Sequence, residues 1–317
     1  MKNCNCTLGL TNSGIPNCQP VMKVARKLIV VPMFQDDGTP NEIDLTSDTL
    51  DSAFFLGKRD NVDSSQRWYP LPKMENVETS RDNPIKEDFN SGRSITIQDG
   101  VRTFTGLLVQ QYGTFLNKIE DYGCDRVGVF IVDKDGNLIG ISDTANKLRP
   151  IEIDGDSWKP ILQWGDDTTS TKIQLNFNWD MDEQDRNIRM IKKSDLDNYN
   201  LLSLNGLLDV YGRDLALPTS TTQLKVALFY EFGGLKDQGD YTAGVEGLGV
   251  DDIVVYNVTT DTDVTPSAVT ETPEGTYELT FAAQTSADVL KVKVDKSGFS
   301  AEYVEDTAGA DIEFTVP

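Results

Sequence analysis

Four cysteines, Cys4, Cys6, Cys18 and Cys124, are the residues best suited by type to hold a metal. Four thiolates make a tetrahedral zinc site, and a Cys-x-Cys pair can supply two of them. The spacing argues against it, because the pair is not Cys-x-x-Cys and Cys124 lies more than a hundred residues beyond Cys18. Free thiols packing an N-terminal arm explain these residues more simply, and a reducing compartment makes disulfides unexpected. The run Asp133-Lys134-Asp135-Gly136-Asn137 alternates carboxylates as a calcium loop does. Its glycine falls at the wrong offset, and Thr144 rather than glutamate lies near the closing position. A hairpin turn accounts for it. Asp180, Asp182 and Glu183, like Asp251 and Asp252, read as exposed acidic turns that bind cations weakly at most.

No histidine occurs in the 317 residues. That removes the commonest general base, the commonest metal ligand and every Ser–His or Cys–His nucleophile pair. There is no P-loop, no complete G-x-G-x-x-G, no G-x-S-x-G and no H-E-x-x-H. Gly247-Leu248-Gly249 begins a glycine pattern but runs on into Asp251-Asp252, which repels phosphate. A glycosidase-type carboxylate pair need not be adjacent in sequence, and 51 acidic residues give no basis for naming one. No catalytic, cofactor-binding or metal-binding residue is expected, and the chain is not expected to be an enzyme.

Net charge is −22, and residues 240–317 hold 16 Asp/Glu against 3 Lys, a net of −13. Such a surface repels phosphate backbones, so sequence-specific nucleic-acid binding is not expected. The surface either aids solubility or faces DNA that must slide without sticking. Apolar residues reach 38%, which suits several small β-rich units better than one large helical core. No apolar run approaches the ~20 residues of a membrane span. Met1-Lys2-Asn3-Cys4 has no apolar stretch behind it, so a secretory signal is not expected.

The elements that must position these residues fall into three parts. Residues 1–22 read as an extended arm. Residues 23–238 form a β-rich body, with strands at 23–33, 94–98, 172–179, 187–192 and 223–232. The hairpin at 126–142 is its clearest feature, with Val127, Val129 and Ile131 in alternation. Helices are expected over 46–56, ended by Gly57, and over 105–122. In the second, Leu108, Phe115, Leu116 and Ile119 form a stripe with Tyr112 at its edge, and Gly123 supplies the cap. A short helix is also expected within 201–210. Residues 61–88 lack periodicity and centre on Arg67-Trp68-Tyr69-Pro70-Leu71-Pro72, a loop type that often serves an interface. From 239 to 317 five short alternating runs, separated by turns such as Pro273-Glu274-Gly275, read as a small immunoglobulin-like β-sandwich.

The order of features from Arg67 to Ile141 carries a resemblance. It runs from R-W-Y-P-L-P through N-V-E-T-S-R-D-N-P, then Gly100-Val101-Arg102-Thr103-Phe104, a helix, and the hairpin opening Cys124-Asp125-Arg126-Val127. This resembles structural proteins of tailed bacteriophages that infect Bacteroidetes, crAss-like phages included, of tail-tube or tail-ring type. The resemblance covers roughly the first 235 residues and rests on order and texture, not on an invariant motif. It implies a β-sandwich or rolled barrel packed on one amphipathic helix, with the C-terminal sandwich as a decoration.

The resemblance also implies a ring-forming homo-oligomer in the virion tail, of roughly six or twelve copies. Such a ring would be assembled in the host cytoplasm and contact neighbouring tail or portal-proximal proteins. Arg67, Trp68, Tyr69, Pro70, Leu71 and Pro72 are the expected interface residues, with the two aromatics as anchors. The opposing reading is that these aromatics cap the local core. Other functions compatible with the sequence are a capsid decoration or head-fibre protein, an adhesin binding through its terminal sandwich, and a carboxylate-based hydrolase.

Overall fold

The computed structural model describes residues 21–109, 111, 113–231, 242–306 and 309–317. Among these the chain is mainly β, with two α-helices and a series of antiparallel sheets. It divides into two compact units. The first combines the described residues up to Phe55 with Pro70–Gln111 and Phe115–Leu204; the second consists mainly of Leu56–Tyr69 and Asn205–Pro317.

In the first unit the strands are β1 (Ala25–Pro32), β2 (Ile43–Asp44), β3 (Tyr69–Pro70), β4 (Met74–Arg81), β5 (Ile85–Asp88), β6 (Ser94–Gln98) and β7 (Arg102–Val109). After them come β8 (Val127–Asp133), β9 (Leu138–Ile141), β10 (Lys147–Leu148), β11 (Ile151–Gln163), β12 (Lys172–Trp179) and β13 (Ile188–Ile191). A nine-stranded sheet runs in the order β13-β9-β8-β11-β12-β7-β4, with β1 paired along β8. The apolar run Leu28-Ile29-Val30-Val31 is fully buried on both faces, and β8 and β9 are almost as enclosed. These three strands form the centre of the core.

Toward its other edge the sheet buries only one face. In β12 every second side chain is buried, Ile173, Leu175, Phe177 and Trp179 in turn. The facing register, Ile173↔Leu108 and Phe177↔Phe104, sets apolar side chains opposite one another. Phe104 stacks on Phe177 with ring centroids 4.9 Å apart, and Trp158 stacks on Phe177 at 5.5 Å. The outer face carries polar pairs instead: Thr105 Oγ1 donates to Asn176 Oδ1 and Thr103 Oγ1 to Asn178 Oδ1, both at 3.0 Å. Arg26 of β1 donates to the Met74 carbonyl of β4 at 3.2 Å, so the sheet curls back on itself.

Two helix expectations change. α1 spans Ser52–Arg59, where Asp51 Oδ1 accepts from Phe54 N at 2.9 Å and so caps it. Gly57 does not end it. The expected start at Thr46 is a turn in which Asp44 accepts from Thr46 N and Oγ1. α2 spans only Gly113–Glu120, and residues 102–109 form a strand instead. Thr103, Thr105 and Val109 are β-branched and Gly106 disfavours helix, while a full ladder to β12 satisfies the backbone of 103–109. Leu108 therefore belongs to a period-two face with Phe104. No helix beyond a single 3-10 turn at Leu201–Ser203 forms in 201–210.

The second unit holds β14 (Tyr211–Ser220), β15 (Gln223–Glu231), β16 (Thr242–Gly244), β17 (Ile253–Asn257), β18 (Thr262–Val264), β19 (Ala268–Glu271), β20 (Thr276–Thr280), β21 (Val289–Val294) and β22 (Phe314–Thr315). One sheet is β14-β15-β20-β19 with β16 on β15, and the other is β18-β17-β21-β22. Leu224, Val226, Tyr277 and Leu279 from the first meet Ile253, Val255, Leu290 and Val292 from the second in one core. The division expected at 238/239 cuts this first sheet, because β15 pairs with β20 from Gln223↔Thr280 to Ala227↔Thr276. The unit thus begins near Asn205. The run at 300–304 forms no strand, only a bridge between Tyr303 and Lys293.

Candidate assembly surface

The residues expected at an interface are mostly interior. Trp68 is 2% exposed and Leu71 is equally buried. Pro70 is buried, and Tyr69 and Pro72 are half-buried. Within the second unit, Trp68 N donates to Lys58 O at 3.0 Å. Arg67 closes its own loop, with Nε donating to Asn61 O at 2.6 Å and Nη2 to Val62 O at 3.0 Å; Nη1 lies 3.5 Å from Glu302. Trp68 is therefore part of the local core, while Tyr69 is only half-buried.

In each acidic turn one carboxylate, Glu183 or Asp252, is tied to one of the protein's own cations. Glu183 is buried and meets Arg149 through two bonds, Nη1 to Oε1 at 2.6 Å and Nη2 to Oε2 at 3.1 Å. It also accepts from Glu152 N at 2.8 Å. Arg102 donates to the carbonyls of Asp180 and Glu183 and to Asp185 Oδ1. Asp252 accepts from Gly249 N and from Lys296 Nζ at 3.0 Å, and these contacts hold its carboxyl below the usual range despite partial burial. Asp133 accepts from Asp135 N and Asn137 N and organises a hairpin turn with Gly136 at φ 87°. Cys124 is an exposed free thiol; Cys4, Cys6 and Cys18 lie outside the described residues. No three metal-ligating side chains group together among the described residues.

A cavity of about 160 Å³ in the second unit is lined by Asp209, Tyr211, Glu302, Tyr303 and Glu305 among others. This falls below the ~300 Å³ at which small-molecule sites begin.

The outstanding surface feature is a hairpin arm. β4 and β7 pair from Met74↔Leu108 to Arg81↔Arg102, and beyond them β5 and β6 pair, among the described residues, only with each other. Every residue from Glu78 to Asp99 is exposed, so neither face of this ribbon is covered. Alternation sets Ile85, Glu87 and Phe89 on one side, and Glu87 pairs with Ile95. The exposed apolar side chains are Ile85, Phe89, Ile95 and Ile97. The expectation of a half-buried strand at 94–98 fails because no layer lies against it. At the tip Phe89 N donates to Arg93 O at 2.8 Å, and Gly92 adopts φ 79°. A two-stranded ribbon with no third strand and no packed face among the described residues is marginal by itself in water.

A second exposed feature was not singled out by the sequence. Trp164 follows β11 at the tip of the β11–β12 hairpin and is 81% exposed, whereas Trp68, Trp158 and Trp179 are all buried. Asp166 organises the turn, accepting from Thr168 N at 2.7 Å and Thr169 N at 2.8 Å. These bonds pull its carboxyl down to about 2. Tryptophan is a residue type enriched at interfaces; the sequence signal for its exposure was the following Gly-Asp-Asp-Thr-Thr-Ser, which marks a turn and not a core.

Neither a protein-family model nor a curated protein matches this sequence.

Proposed function

We propose that this chain is a structural subunit of a tailed bacteriophage, assembling with copies of itself into a ring or tube in the tail that conducts DNA. The observation that carries the reading is the uncovered arm at 82–99, whose apolar side chains and free strand edges are a liability for a monomer. Ring closure pairs such edges and buries such side chains. The resemblance of 67–141 to tail-tube and tail-ring subunits supplies the particle, and the net charge of −22 suits a wall along which DNA slides. The second unit is then an immunoglobulin-like decoration, consistent with its two sheets around one core. The role is structural, not catalytic.

Light scattering on the purified chain, with negative-stain images of the same peak, tests this. Rings or tubes of roughly six or twelve copies are expected. A monomer at every concentration, with and without a portal or neighbouring ring as template, overturns it and leaves the decoration or adhesin role in front.

A further inference from the structure

The geometry points to Asn205-Gly206 as a site of spontaneous deamidation, a self-modification in which the Arg59 guanidinium steers the product towards isoaspartate. The inference is independent of the assembly reading. Asn205-Gly206 is the one Asn-Gly step in the sequence. It lies in the second unit, on a stretch, 205–207, that belongs to no helix or strand. Asn-Gly steps mark turns. They also carry a chemical liability, because glycine has no Cβ to shield the amide nitrogen from the preceding side chain.

The reacting groups are free in the folded chain. Asn205 is exposed, and its side-chain amide makes no hydrogen bond among the described residues. The Gly206 N–H donates to no acceptor among them. Downstream the backbone is first tied at Leu208, whose N donates to Gly298 O and whose O accepts from Ser300 N, both at 2.9 Å. Residues 205 and 206 can therefore rotate to bring the Gly206 nitrogen against the Asn205 side-chain carbonyl.

The step needs water and no other co-reactant. Gly206 N attacks Asn205 Cγ, the Cγ–Nδ2 bond breaks, and Nδ2 leaves as ammonia with the proton from Gly206. The resulting succinimide takes up one water. Attack at Cγ gives aspartate. Attack at the main-chain carbonyl carbon routes the chain through Cγ and leaves an α-carboxylate, which is isoaspartate.

Arg59 favours the second path. It is 8% exposed, and its Nη1 lies 3.5 Å from the main-chain oxygen of Asn205. Asp60 holds the guanidinium through Nε at 2.7 Å and Nη2 at 3.0 Å, and Ser297 Oγ accepts from Nη2 at 2.9 Å. These contacts leave Nη1 turned to Asn205. A fixed donor beside that oxygen stabilises the oxyanion formed when water adds to the main-chain carbonyl. It then meets the α-carboxylate that the same oxygen becomes.

The test incubates the full chain at mildly alkaline pH, in buffer and in unfolding urea, and maps aspartate and isoaspartate by peptide mass spectrometry. In buffer, Asn205 should react several-fold faster than Asn90, which is exposed before Ser91. Gly206→Ala should remove that excess. The isoaspartate-to-aspartate ratio at 205 should be several-fold higher in buffer than in urea. Arg59→Gln should bring it down to the urea value, and Arg59→Lys should keep part of the bias. Reaction at Asn205 only in urea, or no faster than at Asn90, overturns the proposal. A wild-type ratio that is equal in buffer and urea overturns the role given to Arg59, whether or not its variants fold.

Discussion

Gly100 lies so close to Asp82 that a Cβ on it would fall 1.7 Å from the Asp82 carbonyl oxygen. Asp82 N meanwhile donates to Val101 O at 2.9 Å, so the two strands of the ribbon pinch together where the arm leaves the sheet. The glycine is there for close approach, not for an unusual φ. Gly100→Ala is therefore expected to splay this neck and cost about 1–3 kcal/mol locally. Limited proteolysis checks it: cleavage within 82–100 should accelerate several-fold while the rest of the chain stays resistant. Unchanged cleavage would mean the neck has room to relax.

Arg149 and Glu183 form a two-bond pair whose carboxylate is almost wholly enclosed. Removing one partner leaves the other desolvated. Arg149→Met is expected to lower stability by about 2–4 kcal/mol, at the lower end of buried pairs because Arg149 keeps some contact with water. Urea unfolding of the variant, compared with Asp143→Asn at the exposed end of the same network, measures the difference. Equal effects would deny the buried pair any special weight.

The two tryptophans most relevant to assembly are expected to behave oppositely. Trp68→Ala should destabilise the fold by about 3–5 kcal/mol, whereas Trp164→Ala should change monomer stability by less than about 0.5 kcal/mol. Because Trp164 is the one exposed tryptophan, acrylamide quenching in the native state reports on it almost exclusively. Quenching should fall as protein concentration rises into the assembly range.

Lys27 is buried, and its Nζ donates to Leu204 O. Burial, reinforced by the positive charge of Lys73, lowers its pKa from 10.5 to about 8. Between these values the unfolded chain holds the proton and the folded chain has lost it, so stability rises with pH through this window. The gain is on the order of 2–3 kcal/mol, and at lower pH the charged group is a standing cost. Urea midpoints of wild type and Lys27→Met, compared from pH 7 to 10.5, isolate this group. The wild type should gain on the variant as pH rises, and parallel curves would refute the assignment.

Strands with one periodic face were legible from the residues. Lys172–Trp179 and Val289–Val294 alternate cleanly and form strands at those limits. The hairpin at 126–142 was marked by its Asp-x-Asp-Gly-Asn turn. Of the helix read over 105–122 only Gly113–Glu120 is helical; the first part fails because Leu108 satisfies a period of two with Phe104 as well as a helical spacing with Phe115. The tie is broken by a ladder to β12, seventy residues away. Which aromatics stay exposed was least legible. Trp68 and Trp164 are the same residue type in similarly polar surroundings, and only the distant strands that cover one and leave the other bare distinguish them.

The second unit draws Leu56–Tyr69 from the early part of the chain and its remaining strands from beyond Asn205. During translation the early segment leaves the ribosome long before the strands it will join. It must wait, apolar Trp68 included, while the whole first unit emerges and can fold. A ribosome stalled near residue 204 would thus present a finished body with an orphaned segment, a form that chaperones are built to hold.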